Sequence, residues 1–359
     1  MRFVLFTTNL AGGGAEKALA KIGTGLAERG HEVDFVVCED AGKYQPPAGC
    51  CFHALSRRAG HGWLGKRRLA WHLGRLLRDW SYDLLVSTLP FADEVAALAR
   101  APHHVCRIAN TLSAEVARLP GKKATRRAER YRALYGRQLL VAVSQGVADD
   151  LRARFGVPVD RVRVIANPFD IAAIRTHAAE PCATLPAQPY IVHVGRFAAQ
   201  KRHDLLLAAF AALSREGIPH RLVLLAPPDP KLAELVAQHG LEGRVVIAGF
   251  QTNPYPWMAN ADLLVLCSDH EGLPNVLIEA LASGTRVLST DCPSGPREIL
   301  RGELANGLVP CSNAAALAQA MRDTLARPKP AAAAVEAVLA PYDSARALDA
   351  WEALAREAA

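Results

Sequence analysis

Two short segments hold the residues whose types and spacing suit chemistry. In SDHEGLPNVLIEALASGTRVLSTD (268–291), Glu271 stands before a helical stretch and Glu279 within it, eight positions later. Gly272 lets backbone approach a ligand closely, and Pro274 suits a first helical turn. The N–H groups of Asn275 and Val276 would then lack intrahelical partners at the positive end of a helix dipole, a natural place for phosphate. A carboxylate beside them suits sugar hydroxyls, so the expected ligand carries both groups, with Glu279 accepting from a ribose. The plainer alternative makes Glu271 a complement to the dipole and Glu279 part of a solvated face. The second segment, HVGRFAAQKRHDLLLAAF (193–210), supplies countercharge. A buried strand ends at Gly195 and Arg196, and Lys201 is expected to open the next helix, where a cation is misplaced unless an anion binds. Arg196 offers a planar fork and Lys201 a point charge, a pairing suited to a diphosphate. Two exposed basic loop residues are the plainer alternative.

These segments need elements that bring strand ends together. The length, 359 residues, suggests two domains. Residues 1–168 alternate strand and helix signals, from RFVLFTT and KALAKIGTGLAERG to RVRVIAN. Residues 169–189 are rich in Ala and Pro without a clear period and are expected to be a linker. The alternation restarts over 190–340, and 341–359 ends in an amphipathic helix with Leu348, Trp351 and Leu354 on one stripe. Short apolar strands between helices predict two Rossmann-like, doubly wound parallel-sheet domains. Ligands would sit outside the strands' carboxyl ends, with the active site in the cleft that the domains face.

Composition excludes several classes. Half the residues are hydrophobic and 21% charged, which is globular rather than disordered. No apolar run reaches the ~18–20 residues of a membrane span, and the start reads as a strand rather than a signal peptide. Eight cysteines without a C-x-x-C spacing argue for a reduced, intracellular chain with no zinc knuckle. Neither half has G-x-G-x-x-G after a strand, so a dehydrogenase fits poorly.

GRFAAQK (195–201) followed by EGLPNVLIEALASG (271–284) resembles glycosyltransferase family 4, retaining enzymes of the GT-B fold whose E-x7-E pattern would run from Glu271 to Glu279. The likeness extends to GGGAEK (12–17), VSQGVADDL (143–151), AGF (248–250) and ANADLLVLCSDHEG (259–272). It implies that Arg196 and Lys201 neutralise a donor diphosphate beside Gly195. Glu271 would contact the transferred sugar, with Gly272, Leu273, Pro274, Asn275 and Val276 alongside and Glu279 on the ribose. Phe250 and Gln251 would lie against the nucleobase, and Gly12, Gly13 and Gly14 would approach the donor phosphate and the acceptor. Asn110, in CRIANTLS (106–113), stands where many relatives carry an active-site His; it can orient a hydroxyl but cannot be a general base. DCPSGPREIL (291–300) resembles a branch that builds bacterial surface polysaccharides, often from UDP-activated N-acetylhexosamines.

The activity implied is retaining transfer of a hexose or N-acetylhexosamine from a nucleotide diphosphate sugar, UDP favoured, to a lipid-linked glycan in lipopolysaccharide, capsule or related assembly. A catalytically silent sugar-nucleotide-binding or scaffolding subunit and a nucleotide-sugar epimerase of the same fold are the alternatives. The fold requires no metal and no cofactor, and Asp269-His270-Glu271 is not expected to be a metal motif.

Charge adds a partner. Residues 1–180 hold 27 basic and 17 acidic side chains, and 181–359 hold 15 and 18. Within 51–150 the balance is 17 to 8. Arg57, Arg58, Lys66, Arg67 and Arg68 surround Trp63 and Leu64; Lys122, Lys123, Arg126, Arg127 and Arg130 run beside Tyr131. Cations with interfacial aromatics suit an anionic bilayer. No reader of bases is recognisable, so nucleic acid is not expected. The expected place is cytoplasmic, peripheral at the inner face of the cytoplasmic membrane.

Overall fold

The computed structural model describes residues 1–10, 13–40, 49–58 and 60–358. The chain divides into two units, Met1–Pro168 with Ser344–Ala359, and Phe169–Asp343. Unit 1 runs β1 (Arg2–Thr7), α1 (Gly14–Glu28), β2 (Glu32–Val37), β3 (Cys51–Ala54), α2 (Trp63–Arg78), β4 (Leu84–Thr88), α3 (Pro90–Ala99), β5 (His104–Ile108), α4 (Leu112–Ala117), α5 (Gly121–Tyr135), β6 (Leu139–Ala142), α6 (Gln145–Phe155) and β7 (Val162–Val164). Its parallel sheet has the order β3-β2-β1-β4-β5-β6-β7. Helices cover both faces, so the central strands are apolar throughout: Phe3, Val4, Leu5 and Phe6 of β1 are all buried.

Unit 2 runs α7 (Ile171–Ala178), β8 (Tyr190–Val194), α8 (His203–Arg215), β9 (Arg221–Leu225), α9 (Pro230–Gln238), β10 (Val245–Ile247), α10 (Tyr255–Ala259), β11 (Leu263–Leu266), α11 (Asn275–Ala282), β12 (Val287–Thr290), α12 (Pro296–Ile299), β13 (Leu308–Val309), α13 (Ala314–Ala326) and α14 (Ala332–Leu339). Its parallel sheet has the order β10-β9-β8-β11-β12-β13. The segment 169–189 is not simply the expected linker, because it contains α7. Asp170 caps that helix by accepting from the Ala173 N–H at 2.8 Å, and Ile174 and Ala178 bury one stripe against α10 and α11. The i, i+4 spacing of those two residues was concealed by the surrounding alanines.

The last helix, α15 (Ser344–Ala358), joins unit 1 and buries Leu348, Trp351 and Leu354 in the core that contains Phe3 and Leu5. A Cβ on Gly25 of α1 would lie 2.7 Å from Leu348 Cδ1, so the bare backbone there admits the helix. Arg29 then reaches Asp349 at 2.7 Å and Glu352 at 3.0 Å along the rim.

Unit 1 also buries a polar cluster near the carboxyl ends of β4 and β5. Ser87 donates to Asp93 Oδ1 at 2.5 Å and Tyr135 to Asp93 Oδ2 at 2.8 Å. The same Ser87 hydroxyl lies 2.8 Å from His104 Nε2. Arg107 donates to Thr88 Oγ1 at 3.2 Å and pairs with Asn167. Burial pushes the Asp93 carboxyl up to about 7 and His104 down to about 4. The folded state therefore holds a proton on Asp93 that the unfolded chain releases near pH ~3.9. Its favourable contribution is complete below that pH and is lost as pH rises through about 7. Urea midpoints across this range should show the stability of the parent falling relative to Asp93→Asn, by at most about 1.4 kcal/mol per pH unit. A difference independent of pH would contradict a protonated Asp93.

Candidate functional site

In unit 2 the strand order reverses between β8 and β11, with β9 and β10 on one side and β12 and β13 on the other. Such a reversal parts the loops leaving the two strands and opens a crevice at their carboxyl ends. Lys201 follows β8 and Glu271 follows β11; their Nζ and Oε1 atoms lie 2.6 Å apart, with the side chains only 19% and 10% exposed. Lys201 does not open α8 as expected. It ends a 3-10 turn (Ala199–Lys201), and Arg202, at φ +50°, separates it from the first residue of that helix. Its charge is thus matched by Glu271 rather than opposed by the α8 dipole. A Cβ on Gly195 would lie 3.7 Å from Lys201 Cδ and Cε, so the lysine stem runs along the glycine.

Backbone and side-chain bonds fix the two loops together on either side of this pair. Gln200 Nε2 donates to the His270 carbonyl at 2.6 Å, and the Asp269 N–H donates to the Gln200 carbonyl at 2.9 Å. Arg202 spreads its guanidinium over Asp204, Asp269 Oδ1 at 2.9 Å and Ser312 Oγ at 2.9 Å. From the far side, the Glu271 N–H donates to Pro293 and Thr290 Oγ1 to the Ser268 carbonyl. Beneath the loops, His193 and His203 meet edge to face at 4.7 Å between ring centroids. Burial pushes them down to about 3 and about 4, so both are neutral and add no charge to the site.

The other expected residues fall in several places. Gly272, Leu273 and Pro274 are buried, Pro274 caps α11, and Asn275 and Val276 are its first two residues. Glu279 is half-buried two turns on, and Arg196 is exposed on the loop after β8. Phe250 is exposed, while Gln251 donates to the Ala248 carbonyl at 2.6 Å, an intraloop bond. In unit 1, Gly13 caps α1 and Gly14 is its first residue. A Cβ on Gly13 would meet Glu16 Oε2 at 2.1 Å, so this glycine makes room for a carboxylate of its own helix. Gly12 lies outside the described residues. Asn110 donates to Glu115 at 2.7 Å and accepts from the Thr111 N–H at 3.0 Å. Among the described residues no group of three or more His, Cys, Asp or Glu side chains is arranged to hold a metal ion.

Of the basic side chains, Arg57, Arg58, Arg67, Arg68, Lys122, Lys123, Arg126, Arg127 and Arg130 are exposed. Lys66 instead turns inward to Glu94. Tyr131 is not interfacial, because it packs on Tyr135 and Phe155 with 1% exposure. Trp63 and Leu64 are exposed, and so is Trp71, two turns further along α2. Sequence reasoning also missed Gln200, Arg202 and Asp269. Their roles depend on β8 and β11 being neighbours, and no local pattern encodes that pairing.

The family model described as Glycosyltransferase Family 4 matches residues 12–173, and that described as Glycosyl transferases group 1 matches residues 188–327. An N-acetylgalactosamine-N,N'-diacetylbacillosaminyl-diphospho-undecaprenol 4-alpha-N-acetylgalactosaminyltransferase of Campylobacter jejuni is 32% identical over 52% of this chain and 50% of its own. This match, like several others among the curated relatives, spans about half or less of the relative's length. A lipopolysaccharide core biosynthesis glycosyltransferase of Rhizobium meliloti is 25% identical over 86% of this chain and 84% of its own. The solved structure of HepE from Anabaena in complex with UDP superposes with a TM-score of 0.77 at 19% identity, covering 99% of this chain and 100% of the other, a likeness of fold.

Gly295, at φ +95°, supports the loop that carries Glu271. A Cβ there would lie 2.3 Å from Pro274 Cδ and 3.1 Å from the Gly272 carbonyl oxygen. Gly295→Ala should therefore destabilise unit 2 by about 1–3 kcal/mol, combining backbone strain with the displaced loop. A melting temperature equal to that of the parent would show that the loop yields without cost.

Proposed function

Because this chain belongs to the glycosyltransferases of the family 4 and group 1 type, we propose that it transfers a hexose or N-acetylhexosamine from a nucleotide diphosphate sugar to a lipid-linked glycan acceptor, with retention at the anomeric carbon. The observation that carries this reading is the Lys201–Glu271 contact at the strand-order reversal of unit 2, beside the first residues of α11. It brings a cation for the diphosphate and a carboxylate for sugar hydroxyls within one sugar's reach.

In the proposed step, Lys201 Nζ and the Arg196 guanidinium bind the diphosphate, and the amides opening α11 add donors. Glu271 accepts from the sugar's hydroxyls and Glu279 from the ribose. The bond between the anomeric carbon and the diphosphate oxygen breaks, and the acceptor oxygen bonds to that carbon on the same face. The departing oxygen takes the acceptor proton while Lys201 and Arg196 stabilise its growing charge. The charge stabilisation comes from side chains, with no resident metal or cofactor called upon. Asn110 would orient an acceptor hydroxyl. UDP is favoured as the nucleotide, in keeping with the UDP-bound structural neighbour.

The relatives' names, one with a diphospho-undecaprenol acceptor and one for lipopolysaccharide core biosynthesis, support the lipid-linked acceptor and a role in surface-polysaccharide assembly. Among the described residues no helix is long and apolar enough to cross a membrane. We therefore place the membrane contact on α2, where exposed Trp63, Leu64 and Trp71 lie among arginines. Arg67 stacks over Trp63 at 5.0 Å and Arg75 over Trp71 at 5.7 Å, so each ring keeps a cation at the level of the headgroups.

Incubation with UDP- and GDP-sugars and prenyl-diphosphate-linked glycans should yield a product with the donor's anomeric configuration, read by NMR. Lys201→Ala and Glu271→Ala should each lower kcat by about 10²–10³-fold, the usual effect of removing one preorganised charge. Donor binding with no turnover on any acceptor would instead favour a silent subunit.

A further inference from the structure

Unit 1 holds a second cationic site that the transfer reaction does not use. Between α2, α3 and α5 lies a pocket of about 190 Å³ lined by Lys66, Phe91, Glu94, Arg127, Arg130 and Tyr131. Glu94 is bound there by both Lys66 and Arg130, with its side chain only 12% exposed. Lys66 lies over the Phe91 ring at 5.3 Å, and Arg127 lies over Tyr131 at 5.7 Å. Arg127 gives the Tyr131 hydroxyl one long bond of 3.4 Å. Two guanidiniums and one ammonium thus converge on a pocket containing a single carboxylate. Such a set has many more donors than two carboxylate oxygens can accept.

We propose that this pocket binds a phosphate or diphosphate group carried by a lipid, and that the Glu94 carboxylate is a built-in anion which such a group displaces. Phosphate suits the donor set better than carboxylate does, having three acceptor oxygens and up to two charges, and guanidiniums pair with it in a fork. Trp63 lies one turn from Lys66 on the same face of α2 and is 67% exposed, so an apolar anchor stands close to the phosphate site. The proposal deepens the membrane side of the function given above, and it rests on that reading only for the lipid. Its tests measure binding, and they stand whether or not sugar transfer is found.

The first probe is inorganic pyrophosphate, titrated calorimetrically into the full chain carrying Arg196→Ala and Lys201→Ala so that unit 2 does not compete. In that background, Glu94→Gln should bind pyrophosphate at least about threefold tighter, and Arg130→Ala at least about tenfold weaker, as expected for charge-assisted bonds. Arg154→Ala, on α6 away from the pocket, should leave binding unchanged. A second arm compares Glu94→Gln with parent on phosphatidylglycerol vesicles and on phosphatidylcholine vesicles containing farnesyl diphosphate. A gain on the first identifies phospholipid headgroups, and a gain on the second identifies a prenyl diphosphate. If Glu94 is only a structural ion pair, its replacement lowers the melting temperature without tightening pyrophosphate. That result overturns the proposal, as does a pyrophosphate gain that appears on neither vesicle.

Discussion

The reversal of strand order between β8 and β11 is the constraint on which the candidate site depends. Parallel strands cannot turn directly into their neighbours, so they are joined by long crossover connections, usually helical. Where successive crossovers leave in opposite directions, the loops at the strand tips part and leave a crevice. In unit 2 that crevice receives Lys201 from one loop and Glu271 from the other. Burying this pair is acceptable because each partner offsets the other's desolvation, and because the loops beside it are held by independent bonds from Gln200, Arg202 and Thr290. A long, flexible lysine is thereby confined close to one position. In the proposed reaction the same confinement would present its charge to the diphosphate at little entropic cost.

Charge is handled differently in the two units. Unit 2 sets Lys201 and Arg202 together at one crevice and answers them with Glu271 and Asp269 on the facing loop. Unit 1 spreads many of its arginines and lysines over exposed helical faces, where isolated charges are worth little, and pairs others closely, Arg2 with Asp34, Arg29 with Asp349, and Lys66 and Arg130 with Glu94. Its interior, by contrast, holds two hydrogen-bonded groups, Asp93 with Ser87 and Tyr135, and Arg107 with Thr88 and Asn167. Buried polar groups of this kind stay compatible with folding when nearly every donor finds an acceptor, and they tie α3 and α5 to the strand ends.

Much of the architecture was legible because its signals are local. Apolar runs such as RFVLFT and DLLVLCS announce buried parallel strands, and GRFAAQK with EGLPNVLIEALASG announces the site loops. Residues whose meaning depends on a distant partner were not legible. Arg202 looks like any basic loop residue until Asp269 and Ser312 are seen beside it. The sequence pattern of α8 places Lys201 at the opening of that helix, yet the left-handed Arg202 starts the helix only at His203. Arginines surround Tyr131 in the sequence as they would an interfacial aromatic, but the helical period turns it inward to Phe155. Helix α7 was hidden by a composition of Ala and Pro that suits a linker equally well.

The most direct measurement is calorimetric titration of UDP, UMP and uridine into the parent chain and into Lys201→Met. If Lys201 binds the diphosphate, the parent should bind UDP more tightly than UMP and UMP more tightly than uridine. Lys201→Met should weaken UDP by at least about tenfold, one lost charge-assisted bond, while changing uridine little. Equal affinity of the two proteins for UDP would contradict the assignment of the crevice between β8 and β11 as the diphosphate site.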